Sequence, residues 1–314
     1  MKKTIKRKPI VNGVYPTMLT PFKDNESIDY AGLKNLIEWY FTNGIDGMFA
    51  VCQSSAMFEL SRQERKDLCR NTYDFVDGRC PVIASGHVSD TLEEQYHDLM
   101  DMAESGADGL VLVSNRLARP WESDRLWLKN LEKLITRLPS DIPLGLYECP
   151  FPYKRLLSDE VIKEMVSTKR FGFVKDTCCS KEIITRRAAL TSGSDMKLFN
   201  ANAATLLFSL KAGYAGYSGV MTNFHTDLYH KLCRDWSSMG EDADKLQDYL
   251  GSASIIEGKY YPVNAKYFLH KEGVIKSPVC RRSDVRLRQI TGSEKLEIEQ
   301  FCRVSKLMSR KFAD

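Results

Sequence analysis

The chain has 314 residues, 43% of them hydrophobic and 27% charged, which is enough to bury one large core or two ordinary ones. Its net charge of +4 is small and gives no sign of a nucleic-acid partner. No stretch approaches the ~20 apolar residues of a membrane span, and no apolar run follows the basic start as a secretory leader requires.

Nine cysteines form an odd set without a C-x-x-C pair, and five histidines have no zinc-like spacing. Reduced thiols in a cytoplasmic protein are therefore expected, with neither a disulfide framework nor a metal centre. Residues 1–12, with Lys2, Lys3, Lys6, Arg7 and Lys8, read as a solvated, frayed basic arm.

From Gly13 onward, apolar runs alternate with amphipathic ones. Residues 13–22 read as a first strand closed by a proline. Asp29 caps a helix with Leu33, Leu36, Ile37 and Tyr40 on one face, stopped by Asn43-Gly44. A strand over 47–52 follows, then a helix behind a Ser61/Glu64 capping box. After a strand over 81–86, Asp90 opens the third helix. The unit repeats with strands over 109–114, 143–149, 171–176, 196–200 and 217–222. Helices over 121–138, 159–168, 181–190 and 203–211 separate them. Beyond Thr226 the pattern is helical only, over 226–239, 242–257, 262–270 and 294–308.

Eight strand–helix units with short connections predict an α/β fold, a (β/α)8 TIM barrel over residues 13–240 with a C-terminal helical extension over 241–314. The first turn lacks the glycine-rich phosphate fingerprint, so an open doubly wound sheet is the weaker reading. Arg281, Arg282, Arg286 and Arg288 have no interleaved aromatics and read as surface charge or a subunit contact.

In a barrel the residues that follow the strands share one rim, where chemistry collects. Phe171-Gly172-Phe173-Val174 runs directly into Lys175. A strand-end lysine among apolar walls loses its proton near neutral pH and can attack a ketone, although the stretch alone fits a surface lysine equally well. The same rim holds Gln53-Ser54-Ser55, His87, Tyr147-Glu148, Asn202 and Ser218. Tyr147 can move protons beside an iminium, and backbone amides of the Gln53-Ser54-Ser55 loop can hold a carboxylate. Core packing for Tyr147, a turn role for Ser54 and a polar rim role for His87 are the plain alternatives. Glu148 alternates with Tyr147, points the other way and reads as structural.

The order of these pieces resembles the dihydrodipicolinate synthase / N-acetylneuraminate lyase family of Schiff-base-forming barrels, over about residues 13 to 309. Matching stretches include Asn43-Gly44-Ile45-Asp46-Gly47, Tyr147-Glu148-Cys149-Pro150, Gly172-Phe173-Val174-Lys175-Asp176 and Pro262-Val263-Asn264-Ala265-Lys266. The resemblance implies Lys175 as the Schiff-base lysine, Tyr147 as the proton shuttle and Ser54 as the surviving hydroxyl of the carboxylate loop. It also implies a homotetramer built as a dimer of dimers, and a covalent Schiff base in place of any cofactor or metal.

The departures are specific. Gln53, Ser55 and Ala56 replace a hydroxyl, a glycine and a glutamate of the family's loop. Pro152 falls where the synthase branch has a carboxylate-binding arginine, and Leu117 falls near its tyrosine lent between subunits, with Arg116 or Arg119 as possible substitutes. Asn202 and Ala203 fall where lyase members carry acidic residues.

The expectation is a lyase, an aldolase or a dehydratase, acting on a pyruvate-derived 2-oxo acid. Lys175, Tyr147 and Ser54 would be catalytic, Ser54 orienting Tyr147. Gln53, Ser55, Asn202 and Ser218 would surround the substrate, with the Ser54 and Ser55 amides on its carboxylate. Dihydrodipicolinate synthesis itself is not expected. A keto-acid-binding homologue without turnover, or a 2-keto-3-deoxy sugar acid dehydratase, is the alternative.

Overall fold

The computed structural model describes residues 7–281 and 290–313. Lys2, Lys3 and Lys6 of the basic arm, and Arg282, Arg286 and Arg288, lie outside the described residues.

Eight parallel strands run in the order β1-β8-β7-β6-β5-β4-β3-β2. They are β1 (Gly13–Val14), β2 (Met48–Ala50), β3 (Val82–Ala84), β4 (Gly109–Val113), β5 (Leu144–Tyr147), β6 (Phe171–Asp176), β7 (Leu198–Asn200) and β8 (Gly216–Tyr217). A parallel bridge between Thr17 and Phe49 closes the seam from β1 to β2. There the Phe49 N–H donates to Pro16 O and the Met18 N–H to Phe49 O, each at 3.1 Å. The sheet is therefore a barrel. Its strands are apolar throughout because helices cover the outside while aromatic side chains fill the inside. Phe173 stacks on Phe199 at 4.6 Å, and Tyr15 meets Phe199 edge-on at 4.9 Å.

The covering helices are α1 (Tyr30–Thr42), α2 (Arg62–Val76), α3 (Leu92–Glu104), α4 (Asp124–Ile135), α5 (Asp159–Ser167), α6 (Lys181–Thr191), α7 (Leu206–Lys211) and α8 (Thr226–Asp235). The extension adds α9 (Glu241–Ala253), α10 (Val263–Lys271) and α11 (Gly292–Phe312).

Local chemistry sets the helix starts. The Ser61 capping box is formed, with Ser61 Oγ accepting from the Glu64 N–H at 3.2 Å and Glu64 Oε2 accepting from the Ser61 N–H at 2.9 Å. Asp29 holds the cap position of α1 but its side chain makes no capping bond. The third helix begins behind Thr91 rather than Asp90, because the Thr91 hydroxyl takes the Glu94 N–H. Residues 121–123 are not helical, since Ser123 caps α4. The expected helix over 242–257 is cut short at Ala253, and Ser254–Gly258 tightens into a 3-10 turn. Asn264 Nδ2 donates to Ile256 O at 2.7 Å and holds that turn against α10.

The arm is not frayed where it is described. The Lys8 N–H donates to Asp108 Oδ1 at 2.8 Å, and the Val11 N–H to the Tyr15 hydroxyl at 3.0 Å. Ile10 is buried at the closed end of the barrel, against β-strand glycines Gly109 and Gly172. Apolar burial of that one side chain explains the order that a charge count misses.

Candidate active site

Tyr147 and Lys175 are register partners across the β5–β6 pair. In a pleated sheet that pairing sends both side chains to the same face. The Lys175 ammonium accordingly lies 4.5 Å from the centre of the Tyr147 ring and 5.9 Å from that of Phe49. Lys175 is only 4% exposed. Burial pushes its pKa down to about 8, opposed by Cys52, Cys149 and Glu257. Among the described residues its amine has no hydrogen-bond or ion-pair partner.

A second buried lysine shows what that freedom means. Lys266 is also depressed by burial, to about 7, but its ammonium donates to Thr20 O at 2.8 Å and Val279 O at 2.6 Å. Its N–H groups are committed to carbonyls, so it is a structural lysine. Lys175 keeps its nitrogen available.

The Tyr147 hydroxyl donates to Gln53 Oε1 at 3.1 Å, and burial holds its pKa well above 10.0. Gln53 opens the 3-10 turn Gln53–Ser55 that follows β2. Val51, just before it, has φ 49°, a left-handed value that a β-branched residue rarely takes. That strain turns the chain sharply at the rim.

Among the described residues no hydrogen bond joins Ser54 to Tyr147. Ser54 Oγ accepts from the Tyr261 hydroxyl at 2.8 Å, and that hydroxyl accepts from Asn223 Nδ2 at 2.9 Å. The expected Ser54–Tyr147 pairing is thus replaced by Gln53–Tyr147, with Ser54 engaged by Tyr261 instead. Ser55 is also unsuited to a substrate. Its hydroxyl donates to Met18 O at 2.6 Å and accepts from the Cys52 N–H at 3.2 Å, and its own N–H goes to Cys52 O at 3.0 Å. The first two N–H groups of the turn, on Gln53 and Ser54, remain without partners inside it.

Ser218 is fully buried and donates to Tyr15 O at 2.9 Å, bracing β8 on β1 rather than offering a hydroxyl to the mouth. Asn202 sits half-buried after β7 and caps the next turn, its Oδ1 accepting from the Thr205 N–H at 3.1 Å. His87 is fully buried. Its Nδ1 accepts from the Val113 N–H at 2.9 Å, which leaves Nε2 to donate to Gln95 Oε1 at 3.1 Å. Burial lowers its pKa to about 4, so it stays neutral and structural.

Behind the rim, Arg187 joins Glu148 to Asp176. Its guanidinium reaches Glu148 at 2.6 and 3.1 Å and Asp176 at 2.8 Å. Glu148 also accepts from the Leu157 and Thr177 N–H groups at 2.7 and 2.9 Å. The cluster ties the ends of β5 and β6 together and so fixes Tyr147 beside Lys175.

Arg116 forms an ion pair with Asp90 at 3.0 Å, and Arg119 lies 4.0 Å from the same carboxylate. Leu117 is buried. The residues that sequence reasoning missed, Tyr261 and Glu257, come from the segment between α9 and α10. The pair Tyr261-Pro262 directly ahead of the matching Pro262-to-Lys266 stretch was the available signal for the first.

The model of the Dihydrodipicolinate synthetase family matches residues 10–300. The chain is similar to the 4-hydroxy-tetrahydrodipicolinate synthase of Polynucleobacter asymbioticus, at 24% identity over 282 residues, covering 87% of this chain and 89% of that protein. Its fold is similar to that of a prophage protein of E. coli K12 belonging to the dihydrodipicolinic acid synthase family, solved in complex with pyruvate. That match has TM-score 0.82 and 19% identity, and covers 94% of this chain and 99% of the other. CdNal from Clostridium difficile in complex with mannosamine matches equally well, with TM-score 0.82 and 19% identity over 94% and 99% of the two chains.

Proposed function

The chain belongs to the dihydrodipicolinate synthetase family, and from that premise we propose that it is a Schiff-base lyase acting on a pyruvate-derived 2-oxo acid. The observation that carries the reading is the uncommitted Lys175 amine, depressed to about 8 and seated beside Tyr147.

The neutral amine attacks the C2 ketone, water leaves, and an iminium forms. The C3–C4 bonding electrons then flow into that iminium to give an enamine. Tyr147, having given its proton to the hydroxyl that left as water, is a phenolate beside the iminium and takes the proton of the C4 hydroxyl, and an aldehyde departs. Protonation of the enamine at C3 and hydrolysis of the iminium release pyruvate. The Gln53 and Ser54 N–H groups would hold the C1 carboxylate, as the start of a helical turn can. No step calls for a metal or a cofactor. Loss of water in place of the aldehyde, a dehydratase reaction, uses the same lysine. A binding protein without turnover has no use for an amine kept free next to a buried phenol.

Trapping tests the reading. Pyruvate with borohydride is expected to leave a stable secondary amine on Lys175, mapped to the peptide containing Phe173 to Asp176. A label on another lysine, or none, overturns it. Tyr147→Phe is expected to slow turnover by roughly 10²–10⁴-fold while leaving Lys175 open to labelling. Wild-type-like turnover in that variant would remove Tyr147 from the mechanism.

Curated relatives carry the synthase name, yet this chain has Pro152, buried Leu117 and two arginines drawn to Asp90 where that reaction needs a second carboxylate site. Incubation with pyruvate and aspartate semialdehyde is therefore expected to give negligible condensation. Robust product at ordinary enzyme concentration would refute this.

The same proposal includes a cytoplasmic enzyme and a homotetramer. The exposed Trp121 and Phe151 beside the rim are apolar surface that subunit contact would cover. Among the described residues no helix is long and apolar enough to cross a membrane.

A further inference from the structure

The segment between α9 and α10 is a strap across the barrel mouth. It is held at Ile256 O by Asn264, and at Tyr261 by the Ser54 hydroxyl beside β2 and by Asn223. Glu257 lies in the middle of this strap, half-buried. Its charge acts on Lys175 at the end of β6, on Cys179 just beyond, on Tyr217 of β8 and on Tyr229 of α8. The carboxylate is therefore within electrostatic reach of the β6–β8 side of the mouth.

Glu148 and Asp176 share a guanidinium, and Glu64 pairs with Arg281. Glu257 is different. Among the described residues it has no hydrogen bond or ion pair, and burial raises its pKa with only Lys175 drawing it back. A half-buried acceptor left without donors is stabilised by a ligand that brings them.

We propose that Glu257 binds the distal half of the substrate, accepting hydrogen bonds from hydroxyls beyond C4 and rejecting a second carboxylate there. The proposal rests on the Schiff-base reading of Lys175. With C1 held at the turn beside β2 and C2 bonded to Lys175, the remaining carbons extend toward the strap. When Lys175 becomes a substituted iminium, it stays cationic, and Glu257 continues to face a positive charge on one side and the substrate's hydroxyls on the other. The other titratable groups facing Lys175 are the Tyr147 phenol, whose proton is donated to Gln53, and the thiols of Cys52 and Cys149. Neither thiol is a strong hydrogen-bond acceptor, so the selection falls to the carboxylate.

The test compares 2-keto-3-deoxygluconate with 2-keto-3-deoxyglucarate, which differ in a hydroxymethyl or a carboxylate at C6. Each is assayed by pyruvate release and by protection of Lys175 from labelling with pyruvate and borohydride. Wild type is expected to prefer the monocarboxylate by about 10- to 100-fold in kcat/KM, or in protecting concentration. Glu257→Gln keeps the shape and removes the charge. It is expected to bring the two probes within a few-fold of each other, mainly through KM, while pyruvate still labels Lys175.

Retained labelling shows that the variant is folded and its lysine competent. Labelling in both proteins with an unchanged preference, or no discrimination and no protection by either probe in wild type, overturns the role of Glu257 alone. Absence of any Lys175 label in wild type overturns the Schiff-base reading and this inference with it.

Discussion

Replacing Lys175 by arginine is expected to abolish turnover, by on the order of 10⁴-fold or more, without unfolding the barrel. Arginine keeps the positive charge beside the Tyr147 and Phe49 rings, so cation–aromatic contact survives. Its guanidinium stays protonated at any accessible pH and forms no iminium with a ketone. Borohydride labelling should vanish with activity, and thermal unfolding should remain cooperative near the wild-type midpoint.

The pH dependence follows from the same residue. The amine is nucleophilic only when neutral, so the rate of pyruvate labelling should rise with pH and level off above about 8. A flat profile between pH 6 and 9 would mean that burial does not set the reactivity. Residual cleavage by the arginine variant, insensitive to borohydride, would mean that the chemistry does not pass through this nitrogen.

Much of this was legible in the residues because it depends on short-range pattern. The run Phe171 to Lys175 reads as a buried strand ending in a cation, and the β5–β6 register then places Tyr147 beside it. The barrel followed from the alternation of apolar and amphipathic segments, which is local too. What failed depended on partners far away in the chain. Ser54 is bonded to Tyr261, 207 residues on, so no inspection of the loop reveals that its oxygen already accepts a hydrogen bond. Ser55 turns inward to Met18, and Ser218 to Tyr15, for the same reason. Gln53 was read as a substrate contact, whereas its amide oxygen receives the Tyr147 proton donor.

That exchange has a chemical consequence. A hydroxyl can accept one proton while donating another, but an amide oxygen only accepts. Tyr147 therefore has no onward relay through Gln53.

The largest stability effect is expected at Arg187. Its side chain is 1% exposed and is shared by two buried carboxylates, Glu148 and Asp176. Arg187→Met keeps the length and apolar stem but strands both negative charges, so a loss of about 3–5 kcal/mol in urea unfolding is expected. Glu148→Gln is the internal contrast. It leaves the Arg187–Asp176 pair in place and still offers an acceptor to the Leu157 N–H, so the expected cost is only about 1–3 kcal/mol.

Acid sensitivity should change as well. Burial alone would raise the Asp176 pKa, but Arg187, the Cys178 N–H and the Tyr214 hydroxyl outweigh it and hold the group below the ordinary value. A carboxylate depressed in the folded state contributes stability above its unfolded pKa, near 4, and loses it as pH falls through the folded value. Without Arg187 the folded pKa moves up toward or past the unfolded one, so this group's share of the acid-induced loss shrinks, and the methionine variant should lie closer to wild type in stability at low pH than at neutral pH. Equal unfolding midpoints for Arg187→Met and Glu148→Gln, with parallel acid limbs, would show that the shared guanidinium is not what holds the ends of β5 and β6 together.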